Sequence, residues 1–503
     1  MSLIAILLVC SLFAGAWLKL NKRRLPLPPG PRADPIIGHA RSIPAQNQAA
    51  TFQRWTKTYG DLVYLKVFGR EMVVIGSFEA AQELLENRGG NYCCRPPFIV
   101  WEMMGWWPIL TFLPYGKFFL KHRRVFQQYF GRKESLAFTD IVADEARLLV
   151  LNLSRAAPGS HLHCAHRFTT SNIMRVACGK QVKSDDDPFM TLATELAPVI
   201  NNSGPMGNTF IDIFPWLKHF PSWFPGTYYA SYALSCREAT RKLHEYPVQY
   251  VKAQLASGNV ERSFVSELLT GLGDTPDAMN LVDIKGASAT VFAAAEDTTF
   301  ASLTVFFLAM ILHPEHQKRA YQEIITVIGE DRLPEYRDRG SLPFVESILQ
   351  ETLRWHPPLS LAIPHRSLED DVYNDRFIPK GTIMIPNVLG MSLDDTVYSD
   401  PKAFNPVRFL SAPEGKGEPH FTAVWGFGRR ICPGRHFADI TLWYAMVHIL
   451  AVYEILPAKD NNGNLVQPEK HFTEGLISQV EPYHFEVRLR SEAARALISQ
   501  IED

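Results

Sequence analysis

Apolar positions recur at helical spacing over most of residues 115–356, as in A-D-E-A-R-L-L-V-L-N-L at 143–153. The longest such run, residues 282–312, ends before His313-Pro314, where a proline marks the boundary. Alternation of period two is confined to short pieces. Residues 61–75 alternate around Gly69-Arg70 and predict a hairpin, and residues 78–86 then read as a short helix. Further strands are predicted over 371–385, with residues 377–382 (F-I-P-K-G-T) as a turn between them, and over 483–489. The pattern predicts a mainly α fold with small peripheral β-sheets and no central one.

The N-terminus departs from this amphipathic regime. Residues 3–18 are an apolar run followed at once by Lys19, Lys22, Arg23 and Arg24. Either a cleaved secretory signal or a retained signal anchor has this outline. No side-chain positive charge precedes the run, and the basic flank after it favours a cytoplasmic C-terminal side, so a transmembrane anchor at residues 1–20 is expected. The prolines of L-P-L-P-P-G-P (25–31) deny helical continuation and predict a stiff hinge over residues 21–35. Residues 36–503 show no repeat and read as one folded unit.

Composition narrows the partners. Among 503 residues, 51 Lys and Arg balance 52 Asp and Glu, which gives no reason to expect nucleic acid. With 46% hydrophobic residues the chain can bury a large core. Its seven cysteines are scattered without a C-x-x-C pair, which suits a reducing compartment.

The segment W-G-F-G-R-R-I-C-P-G-R (425–435) precedes an apolar helical run. Gly426, Gly428 and Gly434 let backbone approach a flat ligand, and Cys432 falls beside a helix N-terminus that stabilises a thiolate. A lone cysteine among glycines is ordinarily structural. Three further patterns accompany it. E-T-L-R places Glu351 and Arg354 one helical turn apart, P-K-A-F-N-P-V-R-F carries Arg408, and A-A-A-E-D-T-T (293–299) sets acids and hydroxyls inside the long apolar run. Helical spacing puts Val291, Ala294, Ala295 and Thr298 near one face.

These segments resemble, in order and spacing, the haem loop, the E-x-x-R and P-x-x-F-x-P-x-R-F segments and the oxygen-activation helix of the cytochrome P-450 family, and the likeness extends over residues 25–489. Residues 214–226 further resemble fungal members. The resemblance implies the cytochrome P-450 fold preceded by one N-terminal transmembrane helix, with residues 36–503 as a haem-thiolate monooxygenase domain. It implies heme b held by Cys432, with Trp425, Gly426, Gly428 and Gly434 shaping the loop and Arg430, Arg123 and His365 meeting the propionates. Glu351, Arg354 and Arg408 become a buried ion cluster, and Asp297 and Thr298 the proton-handling pair. This chain departs from the family at Phe119, where tryptophan is usual, at Ala295 for glycine, at Leu393 for a basic residue and at Trp425 for phenylalanine.

The implied pocket takes Phe98, Ile99, Trp101, Met103, Met104, Val291, Phe292, Ala294, Ala295, Leu359, Leu361, Ile363 and Ile477. That lining predicts a hydrophobic substrate of terpenoid, steroid, fatty or polyketide type, and the resemblance implies that one atom of O2 is inserted into it. No G-x-G-x-x-G is present, so electrons are expected from a separate protein; the resemblance implies an NADPH-dependent flavoprotein reductase, at the endoplasmic reticulum membrane with the catalytic domain facing the cytoplasm. A haem isomerase or dehydratase, and a non-catalytic haem or lipid binder, are the alternative readings. The departures motivate the second of these, and an intact Asp297-Thr298 pair argues against the first.

Overall fold

Eight helices and three small sheets carry the architecture of the computed structural model, which describes residues 25–272, 279–460 and 462–502. The expected anchor at residues 1–20 and the first residues of the hinge lie outside these. The eight are α1 (Lys117–Phe130), α2 (Thr139–Arg155), α3 (His161–Cys178), α4 (Pro188–Asn201), α5 (Arg237–Ser257), α6 (Leu281–Leu312), α7 (Pro343–Trp355) and α8 (Arg435–Val452), accompanied by further helices, among them Gln48–Tyr59, Pro314–Val327 and Glu492–Glu502, and by short turns. Helix α6 packs against α3, α5, α7 and α8 and forms the axis of the molecule. Apolar almost all round, it is buried along most of its length, as a helix without a solvent face must be. Among the described residues it is the one helix long and apolar enough to cross a membrane, and its burial marks it as a core helix. Asn280 caps it: its side chain accepts from the Asp283 N–H, and the Asp283 carboxylate accepts from the Asn280 N–H. The same carboxylate binds Lys121 and His122, which locks α1 to the start of α6.

The sheets are peripheral. Strands β1 (Leu62–Val67) and β2 (Arg70–Ile75) form the expected hairpin, closed by Phe68 and Gly69, both at positive φ (46° and 87°) as a two-residue I′ turn requires. Phe68 is held in that uncommon conformation by ring contacts with Phe210 and Phe214. Strands β3 (His365–Arg366), β4 (Asp371–Tyr373), β5 (Arg376–Ile378) and β6 (Ile383–Pro386) follow, then β7 (Tyr453–Lys459), β8 (Leu465–Val466) and β9 (Phe485–Leu489). One sheet runs β1-β2-β6-β3, with β2 and β6 parallel; β4 pairs β5, and β7 sits between β8 and β9. The expected turn between strands is present at residues 379–382, closed by the Thr382 N–H on the Pro379 carbonyl at 3.2 Å with Gly381 at φ +87°, although Phe377 and Ile378 belong to β5; it carries the chain to β6 in a different sheet, and a second tight turn, Asn374-Asp375, joins β4 to β5. The proline stretch is docked on these sheets, since the carbonyls of Pro26 and Pro29 accept from the N–H groups of Phe377 and Tyr64.

Candidate functional site

A cavity of about 280 Å³ lies where α1, α6 and the start of α8 converge, and Cys432 opens onto it. The loop that presents Cys432 is set by backbone geometry. The Cys432 N–H donates to the Trp425 carbonyl at 2.8 Å, and Gly426 and Gly428 have φ of +74° and +53°. A Cβ on Gly428 would sit 2.2 Å from the Leu85 carbonyl oxygen, so this glycine is also a packing requirement. Gly434 caps α8, and a Cβ there would meet no atom within 4 Å, because that side is the cavity. Burial raises the Cys432 thiol, opposed by the N–H groups of Gly434 and Arg435 and by the charges of Arg123 and Arg435.

Three arginines and a histidine ring the same cavity. Arg430 donates through Nε to the Cys93 carbonyl (2.7 Å) and through Nη2 to the Leu113 carbonyl (2.8 Å), while its Nη1 is buried without a partner. Arg123 donates to the Ile431 carbonyl at 2.7 Å. Arg95, which carries no motif in the sequence, donates to the carbonyls of Thr111, Ile363 and Pro364. None of the three forms an ion pair with a carboxylate among the described residues, and burial lowers all three, Arg430 to about 10. Uncompensated buried charge is costly, so this trio calls for an anionic ligand. His365 is different. Its Nδ1 lies 2.8 Å from the Tyr92 carbonyl, and burial together with Arg95 holds it well below the usual histidine range, so it is neutral at pH 7. The cation beside it is Arg95. Phe119 lies under the Arg430 guanidinium at 3.7 Å, so the ring retains the cation-facing role of an indole without its N–H. A flat group bearing iron and two carboxylates fits these donors: a sulfur at a helix N-terminus, an open glycine face and an unpartnered guanidinium N–H.

Val291, Ala294, Ala295 and Thr298 all line the cavity from α6. The Thr298 hydroxyl donates to the Ala294 carbonyl at 2.8 Å. Asp297 points away from the cavity into a polar pocket, where Gln479 Nε2 donates to its Oδ1 and Oδ2 is buried without a partner. Burial, reinforced by Glu296, pushes its carboxyl up to about 7. Glu296 in turn pairs with His166 at 2.8 Å.

Behind the haem-type loop, Glu351 holds Arg354 through two bonds of 2.7 Å and Arg408 through one of 3.1 Å, all three side chains being wholly or almost wholly buried. A second acid, Glu418, completes the cluster by accepting from Arg408 at 2.7 Å. Nothing in the sequence spacing marks Glu418. Leu393 lies outside the cavity wall, where its carbonyl accepts from Gln53 and the preceding carbonyl, Ser392, accepts from Arg354.

The apolar wall includes Trp101, Leu359, Ile363 and Ile477, with Trp425 near the cysteine. Phe98, Met104 and Phe292 are buried in the core beside it, Ile99 and Met103 are half-buried against that core, and Leu361 packs beneath the β1-β2 sheet. Trp106, Phe112 and Leu476 line the wall without having been marked by the motif spacing.

The family model for cytochrome P450 matches residues 28–487. Cytochrome P450 monooxygenase 176 of Postia placenta is 35% identical over 484 residues, covering 95% of this chain and 93% of that protein. Cytochrome P450 monooxygenase claR of Ampulloclitocybe clavipes is 34% identical over 488 residues, covering 96% and 90%. Cytochrome P450 monooxygenase ple1 of Rhodocybe pseudopiperita is 31% identical over 485 residues, covering 95% and 92%.

Proposed function

This chain belongs to the cytochrome P450 family as a haem monooxygenase of the fungal secondary-metabolism type, and from that premise we propose that its substrate is a neutral, hydrophobic terpenoid, steroid, fatty or polyketide molecule. The observation that carries the reading is one cavity shared by the Cys432 sulfur, the Thr298 hydroxyl and a largely apolar wall. Heme b, when bound through Cys432, supplies the activation of dioxygen with electrons taken from NADPH through a separate flavoprotein reductase. Arg430, Arg123 and Arg95 would hold the two carboxylates of that group by charge-assisted hydrogen bonds. Trp101, Val291, Leu359, Ile363 and Ile477 orient the substrate and exclude water. Thr298 handles the proton at the cavity wall, and Asp297 is its source, one residue back on the same helix. The isomerase, dehydratase and non-catalytic readings have no support among the monooxygenase relatives.

The chain is further proposed to be held in the endoplasmic reticulum membrane by a single pass at residues 1–20, its catalytic domain facing the cytoplasm. Lys19, Lys22, Arg23 and Arg24 after the apolar run support this orientation. An exposed aromatic patch containing Phe210, Trp216, Phe220, Trp223 and Tyr228 supports contact of the domain with a membrane surface. The test of the central assignment is the absorbance of the dithionite-reduced protein with carbon monoxide, for the wild type and Cys432→Ala. A strongly red-shifted Soret band in the wild type alone is expected, and a band unchanged by the substitution overturns the ligand assignment.

A further inference from the structure

The C-terminal hairpin bridged at Phe472 and Val480 has two ends of interest, and they touch different parts of the site. At its tip Leu476 and Ile477 form part of the substrate wall. Two residues beyond Ile477, Gln479 donates to Asp297 Oδ1. Hydrogen bonds within the hairpin tie these ends to each other. The Thr473 N–H donates to the Gln479 carbonyl at 2.8 Å, the Gln479 N–H to Thr473 Oγ1 at 3.0 Å, and Ser478 Oγ to the Thr473 carbonyl at 2.9 Å. His356, just past α7, stacks on Phe472 with 3.5 Å between ring centroids and reaches Ser478 Oγ at 2.9 Å. The tip is tied to the end of α4 by the Ile477 N–H on Asn201 Oδ1, and Ile200 of α4 also lines the cavity.

Asp297 is held on one side only. From α3 it faces His166 and Thr170, which engage Glu296, with Asp185 and Arg167 farther out; from its own helix it faces Glu296; from the hairpin it meets Gln479. With Oδ2 unpartnered, the Gln479 bond is the single hydrogen bond that fixes the carboxyl's orientation among the described residues.

We propose that Gln479 is a positioning residue: it holds Asp297 turned away from the cavity, and a substrate pressing on Ile477 moves the hairpin as a unit and releases that carboxyl toward Thr298. The proposal rests on the assignment of Asp297 as proton source and adds the condition under which it serves. Coupling of this kind needs a contiguous packed element between the two sites, and the bonded hairpin supplies that contiguity. Its consequence is that the acid is presented only when there is substrate to oxidise.

The test is infrared difference spectroscopy of the holoenzyme, following the carboxylic C=O stretch that Asp297→Asn removes, with phenylimidazole as an apolar haem ligand free of carboxyl groups. In the wild type, ligand addition is expected to shift that band. Gln479→Met removes the donor at similar size; there the ligand-free band is expected already displaced, the ligand-induced shift lost, and the pH midpoint of the band raised by about one unit, because a hydrogen bond to the carboxylate is gone. Ile477→Ala, which leaves the Gln479 bond intact, is expected to keep the ligand-free band and lose most of the ligand-induced shift, so the idea stays testable if the first variant folds poorly. A wild-type band that ignores the ligand, or an undiminished shift in Gln479→Met, overturns the proposal. Product formed per NADPH in Asp297→Asn separates the two readings: unchanged coupling there removes the proton-source assignment, whatever the infrared result.

Discussion

Arg95, Arg123 and Arg430 show how a single residue can declare a ligand. Each is buried against carbonyl oxygens and none has a carboxylate partner among the described residues, so an anion entering the cavity would compensate their charge. A hydrogen bond to a charged group is worth roughly 1.5–3 kcal/mol, and Arg123→Ala is therefore expected to accelerate haem loss about 10- to 100-fold, measured by transfer to excess apomyoglobin. An unchanged rate would remove Arg123 from the anion site. Asp297 gives a second prediction, of stability against pH. Its folded-state carboxyl is raised from 3.8 to about 7, so the folded chain binds this proton more tightly than the unfolded one. Its contribution is fully present below about pH 4 and is lost as pH rises through 7. Urea unfolding should then show Asp297→Asn gaining on the wild type between pH 4 and 7, with the difference level above that; a constant difference would contradict the raised carboxyl. Cys432 and Thr298 were legible because their motifs are local runs of sequence. Arg95 was not, because its meaning depends on carbonyls far along the chain, at Ile363 and Pro364, and on the absence of an acid.

Between residues and the whole stand the elements, and α7 illustrates what one turn of helix commits. Glu351 on α7 accepts from Arg354, from Arg408 and from the Asn405 N–H, binding the helix to the segment that leads into the cysteine loop. Removing the acid strands two buried guanidinium groups, for which about 3–5 kcal/mol is the usual cost of breaking such a pair. Glu351→Ala should accordingly lower the unfolding free energy read from urea titration by that much or yield haem-free protein. A variant of wild-type stability would show that Glu418 alone sustains Arg408. Gly428→Ala tests the loop from the other side: the added Cβ meets the Leu85 carbonyl, and the expected outcome is loss of the red-shifted carbon monoxide band with α8 intact by circular dichroism. Periodicity alone located α6 and the β1-β2 hairpin, since burial on all sides or on alternate positions is written in the residues themselves. It found the turn at residues 377–382 but began it two residues early and did not show the change of sheet, because Pro379 and Gly381 signal a break without saying where the chain goes next. The hairpin carrying Gln479 offered no alternation to read, since side chains of Thr473, Ser478 and Asn201 hold it as well as backbone pairing, and only the resemblance, through Ile477, marked it.

At the scale of the whole molecule, the aromatic patch is the feature that a soluble surface does not explain. Phe210, Phe214, Trp216, Phe220, Phe224 and Trp223 form a chain of ring contacts, extended by Phe68 at the β1-β2 turn. Trp223 is 79% and Trp216 53% exposed, and large apolar rings gathered so openly mark an interaction surface. A membrane interface suits them, because indole combines an apolar body with an N–H that stays at headgroup depth. If that is their role, residues 25–503 without the N-terminal run should still partition to neutral phosphatidylcholine vesicles. Burying a large apolar side chain is worth about 1.5–3 kcal/mol, so Trp216→Ser with Trp223→Ser should weaken that partition by roughly two orders of magnitude or more. Because the attraction is apolar, it should change little between low and high salt, whereas adsorption through Lys218 and its basic neighbours would be screened away. Partition that survives the double substitution would assign membrane contact to another face, and partition abolished by salt would replace the aromatic explanation with an electrostatic one.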